Sequence, residues 1–194
     1  AGTGKELGEW DAGNTNNPLQ FIEEAVEIEL PYFSTEEEPE YWWVYFNTSS
    51  ATLKDLGAET NAQTAAKSYA SEQLWQLVGD ETNFYMKNKT GRYLYYNTTA
   101  SRFQTTETTD NKTALQLNSL GDGNFEIQLY NTSGNNSMNP NGGAGTGKEL
   151  GVWSSGDANN PVTFISAEPT YPLFSDGDNV YWYFIQFGNG GWVI

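Results

Sequence analysis

The residues Trp153-Ser154-Ser155-Gly156-Asp157-Ala158-Asn159-Asn160 combine types that could hold a ligand. An indole offers a flat apolar face, and Asp157 and Asn159 offer oxygens that accept hydroxyl hydrogen bonds; together they can bind a glycan. Trp10 stands in the same place in an earlier copy of this stretch, as a structural residue would, so the two readings stay side by side.

Other chemistry is scarce. The chain has no His and no Cys, which removes the usual general base near neutral pH, the thiolate nucleophile and the commonest metal ligands. With 25 acidic residues some carboxylate pair will always exist, so none is singled out for hydrolysis. Asp176-Gly177-Asp178-Asn179 starts like a calcium loop but lacks the later glutamate, and reads as a turn. Gly2-x-Gly4 and Gly145-x-Gly147 lack the strand-then-helix setting of a dinucleotide site. Asn-x-Ser/Thr triplets at Asn47, Asn88, Asn97, Asn111, Asn131 and Asn135 read as polar turns. No cofactor is implied.

The elements that position these residues come from repetition. Ala1-Gly2-Thr3-Gly4-Lys5-Glu6-Leu7-Gly8 returns letter for letter as Ala144-Gly145-Thr146-Gly147-Lys148-Glu149-Leu150-Gly151, and the match continues through Asn16-Asn17-Pro18 and Asn159-Asn160-Pro161. This is a tandem duplication with a period of about 143 residues. It frames residues 1–33 as the C-terminal part of one unit, 34–175 as a complete unit and 176–194 as the N-terminal part of a third.

Inside the complete unit a shorter period appears. Trp43, Phe84 and Phe125 stand 41 residues apart, and each opens a stretch rich in strand-favouring residues. A turn and a second strand follow each; Gly91 in Asn88-Lys89-Thr90-Gly91-Arg92 is expected at positive φ. Each lobe closes on a short apolar strand: Gln73-Leu74-Trp75-Gln76-Leu77, Ala114-Leu115-Gln116-Leu117, and Val162-Thr163-Phe164-Ile165. Three lobes of about 40 residues with four short strands each describe an all-β chain, a β-trefoil: three hairpins form a six-stranded barrel and three more cap one end. Residues 62–70 are read as a loop with one helical turn. Tyr93, Tyr95 and Tyr96 alternate across a strand, with Tyr96 beside the core.

Glu72-Gln73-Leu74-Trp75 resembles the Gln-x-Trp element that closes lobes of ricin-B-type lectins, and Leu53-Lys54-Asp55-Leu56-Gly57 resembles a loosened form of their Leu-Asp-x-x-Gly segment. The tract from Met138-Asn139-Pro140 to Trp153 is similar to third lobes of lectin-like trefoil modules on secreted bacterial proteins. The resemblance implies sugar-contacting roles for Asp55 and Asn61, with Tyr69 as a stacking platform, and a stabilising role for Gln73 and Trp75. Asp55 and Gly57 are equally what a tight turn needs.

The charge of −16 disfavours nucleic acid and anionic lipid. Glu36-Glu37-Glu38 reads as solvated linker. No apolar run has the length to span a bilayer. The expectation is a non-catalytic carbohydrate-binding module, secreted or at the cell surface, with glycans or glycoproteins as partners. The alternative is a structural repeat that spaces or polymerises without a ligand. The flanks 1–33 and 176–194 are expected either to self-associate or to belong to neighbouring units of a longer repeat protein.

Overall fold

A computed structural model describes residues 33–167 and, by backbone alone, 185–186 and 192–193. The expected partial units, 1–33 and 176–194, lie outside these residues except for Phe33 and a small hairpin, Ile185–Gln186 against Trp192–Val193. Residues 33–167 fold as a β-trefoil of three four-stranded lobes. The first lobe holds β1 (Trp42–Phe46), β2 (Ala51–Lys54), β3 (Gln63–Ala65) and β4 (Trp75–Asp80). The second holds β5 (Asn83–Asn88), β6 (Tyr93–Asn97), β7 (Arg102–Thr106) and β8 (Leu115–Gly121). The third holds β9 (Asn124–Leu129), β10 (Ser137–Pro140), β11 (Leu150–Trp153) and β12 (Val162–Ser166).

The first and last strands of the lobes close a ring of six. β1 pairs with β12 and β4, β5 with β4 and β8, and β9 with β8 and β12, all antiparallel. A closed ring leaves no barrel edge to attract another chain. The hairpins β2–β3, β6–β7 and β10–β11 form the cap. They meet at the pseudo-threefold axis, where the Ala62 amide donates to the Phe103 carbonyl at 2.8 Å and the Leu150 amide to the Ala62 carbonyl at 2.9 Å.

Register identifies the threefold-related positions. Each lobe bridges its first and last strands once: Trp42 opposite Trp75, Phe84 opposite Leu115, Phe125 opposite Val162. Trp42, not the expected Trp43, is therefore the equivalent of Phe84 and Phe125. Alternation supplies the cause. Val44 and Phe46 face the main core, as do Met86 and Ile127, so Trp42 shares their face. Trp43 points the other way, into a small cluster with Leu74 and Ala167. Trp42 carries an indole N–H where its counterparts are phenylalanines, and that N–H is buried without a partner.

The closing strands of the second and third lobes fall where expected, in β8 and β12, and the same register locates the counterparts of Gln73 in those lobes. The counterparts of Gln73 are Thr113 and Asn160, two residues before each bridging position. All three reach back to their own lobe's hairpin. Gln73 Oε1 accepts from Thr52 Oγ1 at 2.9 Å, Thr113 Oγ1 accepts from the Tyr96 amide at 2.7 Å, and Asn160 Oδ1 accepts from Asn139 Nδ2 at 2.7 Å. What the position requires is a polar side chain whose oxygen accepts from the hairpin.

Two further expectations change. Residues 62–70 contain a strand, β3, and the helical turn comes later, a 3-10 turn at Ser71–Gln73. The acidic run is not all solvated. Phe33 stands edge-on to Phe84 with centroids 5.5 Å apart, and Glu36 receives hydrogen bonds from Tyr85 Oη and Lys87 Nζ, both at 2.6 Å. Residues 33–36 thus lie as a strap across the first and second lobes, with the Ser34 amide donating to the Leu77 carbonyl at 3.0 Å. Gly91 has φ 94°, as its turn requires.

Candidate functional site

The six residues expected to touch sugar fall in different places. Asp55 is 1% exposed. Its Oδ1 accepts from the Gly57 amide and Thr105 Oγ1, each at 2.7 Å; its Oδ2 accepts from Asn88 Nδ2 at 2.6 Å and Arg92 Nε at 2.7 Å. Four donors on a buried carboxylate leave nothing for a ligand, so Asp55 is structural: it ties the first lobe's hairpin to the second lobe.

Asn61 sits at the axis, its Nδ2 donating to Glu149 Oε1 at 3.1 Å and its Oδ1 accepting from Gln104 Nε2 at 2.8 Å. Glu149 also receives Arg102 Nε at 3.0 Å. The bond from Asn61, followed by that from Arg102, holds the Glu149 carboxyl below its usual range. Tyr69 is exposed and stands alone among the six, edge-on to Trp43 at 4.7 Å, with the Lys67 ammonium 4.7 Å from the Trp43 ring.

The third-lobe residues assemble. Trp153 ends β11 and is 53% exposed. It walls a cleft of about 440 Å³ whose other side is the second lobe's hairpin, through Tyr96, Ser101 and Arg102. Asn135, Asn139 and Asn141 line it, and Gly151 lies close against the second lobe: a Cβ there would come within 3.3 Å of the Ser101 carbonyl oxygen. Asp157 and Asn159 stand behind this lining. Asp157 Oδ1 accepts from Asn139 Nδ2 at 3.1 Å, from the Asn159 amide at 2.9 Å and from Asn159 Nδ2 at 3.1 Å.

The loop after Trp153 is held from beneath by Glu126. This carboxylate is fully buried. Oε2 accepts from Ser155 Oγ at 2.6 Å, Gln128 Nε2 at 3.0 Å and Ser137 Oγ at 3.1 Å; Oε1 accepts from the Gly156 amide at 2.7 Å and Asn160 Nδ2 at 3.1 Å. Burial alone would raise its pKa. The bonds from Ser155, Gly156, Asn160 and Gln128 outweigh burial and bring it down to about 2.

Sequence reasoning found the aromatic wall and its backing but missed Asn139, Tyr96, Arg102 and Glu126. Tyr96 and Arg102 come from another lobe, about 50 residues away in the chain. The signal for Asn139 was present in the Met138-Asn139-Pro140 tract, where Asn139 stands opposite Gly151 in the β10–β11 hairpin.

The sequence matches no protein-family model and no curated protein. Solved structures are similar in fold. The designed three-fold symmetric protein ThreeFoil superposes with a TM-score of 0.57 at 16% identity, over 65% of this chain and 98% of that one. The Macrolepiota procera ricin B-like lectin, solved in complex with lactose, gives 0.55 at 13% identity over 69% and 97%. An exo-β-1,3-galactanase from Clostridium thermocellum gives 0.56 at 15% identity, over 70% of this chain but 31% of the enzyme. By architecture this chain is a β-trefoil, similar in fold to a designed three-fold symmetric protein and to a ricin B-like lectin.

Proposed function

We propose that the chain is a non-catalytic glycan-binding module and that the cleft beside Trp153 is its site. The observation that carries this reading is the arrangement of a half-exposed indole opposite a polar wall of Asn139, Asn141 and Arg102. Sugar rings stack their apolar face on an aromatic side chain while their hydroxyls exchange hydrogen bonds with amides. Catalysis is not part of the reading, because glycoside hydrolysis needs two carboxylates across the scissile bond and none of the described residues lining the cleft is a carboxylate. The fold shared with a ricin B-like lectin supports the reading.

A secreted or cell-surface setting and membership of a tandem array extend the proposal; the identical repeat of residues 1–8 at 144–151 supports the array. In the array reading the flanks 1–33 and 176–194 belong to neighbouring units, and in this chain they self-associate. A spacer role is the second reading, supported by the Glu36 strap that lays the entering chain on the second lobe. An array of neutral mono- and oligosaccharides, probed with the wild-type chain and with Trp153→Ala, tests the first reading. Binding by wild type and loss of at least tenfold in the variant support it. Absence of binding by the wild type, or equal binding by both, removes it.

A further inference from the structure

We propose that two carboxylates outside the cleft, Glu126 and Asp157, lock the Asn160–Asn139 amide pair in one direction, so that the cleft presents a hydrogen-bond acceptor to its ligand. The inference rests on reading the cleft as a glycan site.

An amide's oxygen and nitrogen ends have nearly the same shape, so a pair of bonded amides can run in either direction unless its ends are fixed. Here both ends are fixed. An ionised carboxylate only accepts. Asn160 Nδ2 donates to Glu126 Oε1 at 3.1 Å and to the Ser154 carbonyl at 2.9 Å, which uses both its hydrogens. The group that Asn160 turns to its neighbour is therefore Oδ1, and Asn139 must donate to it, at 2.7 Å. The second Asn139 hydrogen goes to Asp157 Oδ1 at 3.1 Å. Both hydrogens of Asn139 are then committed, and what remains of its side chain for a ligand in the cleft is the carbonyl Oδ1.

The consequence is chemical selectivity. A sugar hydroxyl can donate to Asn139 Oδ1 while its ring lies on Trp153. A ligand that needs a donor at that point, such as a carboxylate or sulfate oxygen, meets an oxygen instead. Glu126 and Asp157 are positioning residues in this scheme, acting through the two asparagines. Burial strengthens the lock, because a reversed amide would set oxygen against oxygen in a region of low dielectric.

Side-chain amide resonances in nitrogen–proton NMR spectra test this without any ligand. In the wild type, the Asn139 and Asn160 NH2 hydrogens should exchange with solvent at least tenfold more slowly than those of exposed Asn141. Asp157→Asn, an isosteric change at a partly exposed residue, should shift the Asn139 NH2 resonances and speed their exchange. Glu126→Gln combined with Asp157→Asn should do so for both asparagines, and should weaken binding of any neutral saccharide found on the array by at least tenfold. Unprotected Asn139 hydrogens in the wild type, or Asn139 protection unchanged in Asp157→Asn, would overturn the lock. Backbone resonances of β1 to β8 report whether each variant is folded, and the wild-type and Asp157→Asn measurements decide the matter even if the double variant unfolds. Failure of the wild type to bind saccharide would instead remove the glycan reading and leave the amide result standing.

Discussion

A carboxylate that accepts four hydrogen bonds inside the protein is fully employed, and Asp55 is such a group. Its donors come from the Gly57 turn, from Thr105, and from Asn88 and Arg92. Removing one partner of a buried ion pair strands the other, at a cost of about 3–5 kcal/mol. Asp55→Ala should therefore lower the Tm sharply in a thermal melt while leaving the cleft beside Trp153 intact in whatever fraction stays folded. An unchanged Tm would show that the four bonds are worth little. The Leu-Asp-x-x-Gly-like tract made Asp55 visible in sequence, but not whether its oxygens face water. That depended on Arg92 and Thr105, which only the folded hairpins bring to it. Trp153 was legible because an indole among Asp, Asn and Gly has few core roles open to it. The lone aromatic beside polar residues was informative; the lone aspartate was not.

At the scale of elements, periodicity located every barrel strand of the described lobes, yet it misplaced one lobe by a residue. Two adjacent tryptophans, Trp42 and Trp43, both suit a strand, and only the burial of Val44 and Phe46 decides which of them faces the core. The connecting segments carry the ionic chemistry. The strap over residues 33–36 is pinned by Glu36, whose hydrogen bonds from Lys87 and then Tyr85 lower its pKa to about 2. The loop over residues 154–160 is pinned by Glu126, whose pKa is also about 2 against an ordinary 4.5. A folded-state pKa below the unfolded value contributes stability that is complete above the unfolded pKa and is lost as pH falls through the folded one. For buried Glu126 that contribution is on the order of 3 kcal/mol; exposed Glu36 contributes less, because water screens it. Tm should accordingly stay level from neutral pH to about 5 and decline from there toward 2, with amides of the strap and of the 154–160 loop losing exchange protection before those of the barrel. Decline beginning above pH 6, or barrel amides opening first, would contradict these assignments.

The whole molecule is a threefold frame on which the lobes have diverged. The barrel positions are filled alike: Val44, Met86 and Ile127 form one buried layer, and Trp75, Leu115 and Val162 another. Positions outside the barrel differ, and one strand site shows how far. Trp43, Tyr85 and Glu126 each follow the bridging residue of their lobe, and they serve respectively a small apolar cluster, the Glu36 strap and the loop beneath the cleft. Repetition in the sequence revealed the frame because a core needs similar residues in every lobe. It did not reveal the cleft, which draws on two lobes at once. Glycan binding, as proposed, belongs to this interlobe cleft. It is tested most directly by a nitrogen–proton NMR titration of the wild-type chain with the neutral saccharides of the array, lactose among them, following the Trp153 indole and the side-chain amides of Asn135, Asn139 and Asn141. Saturable shifts confined to Trp153, those amides and the facing Tyr96–Arg102 hairpin are expected. Shifts centred on Tyr69 or the first lobe, or none with any saccharide of the panel, would contradict it.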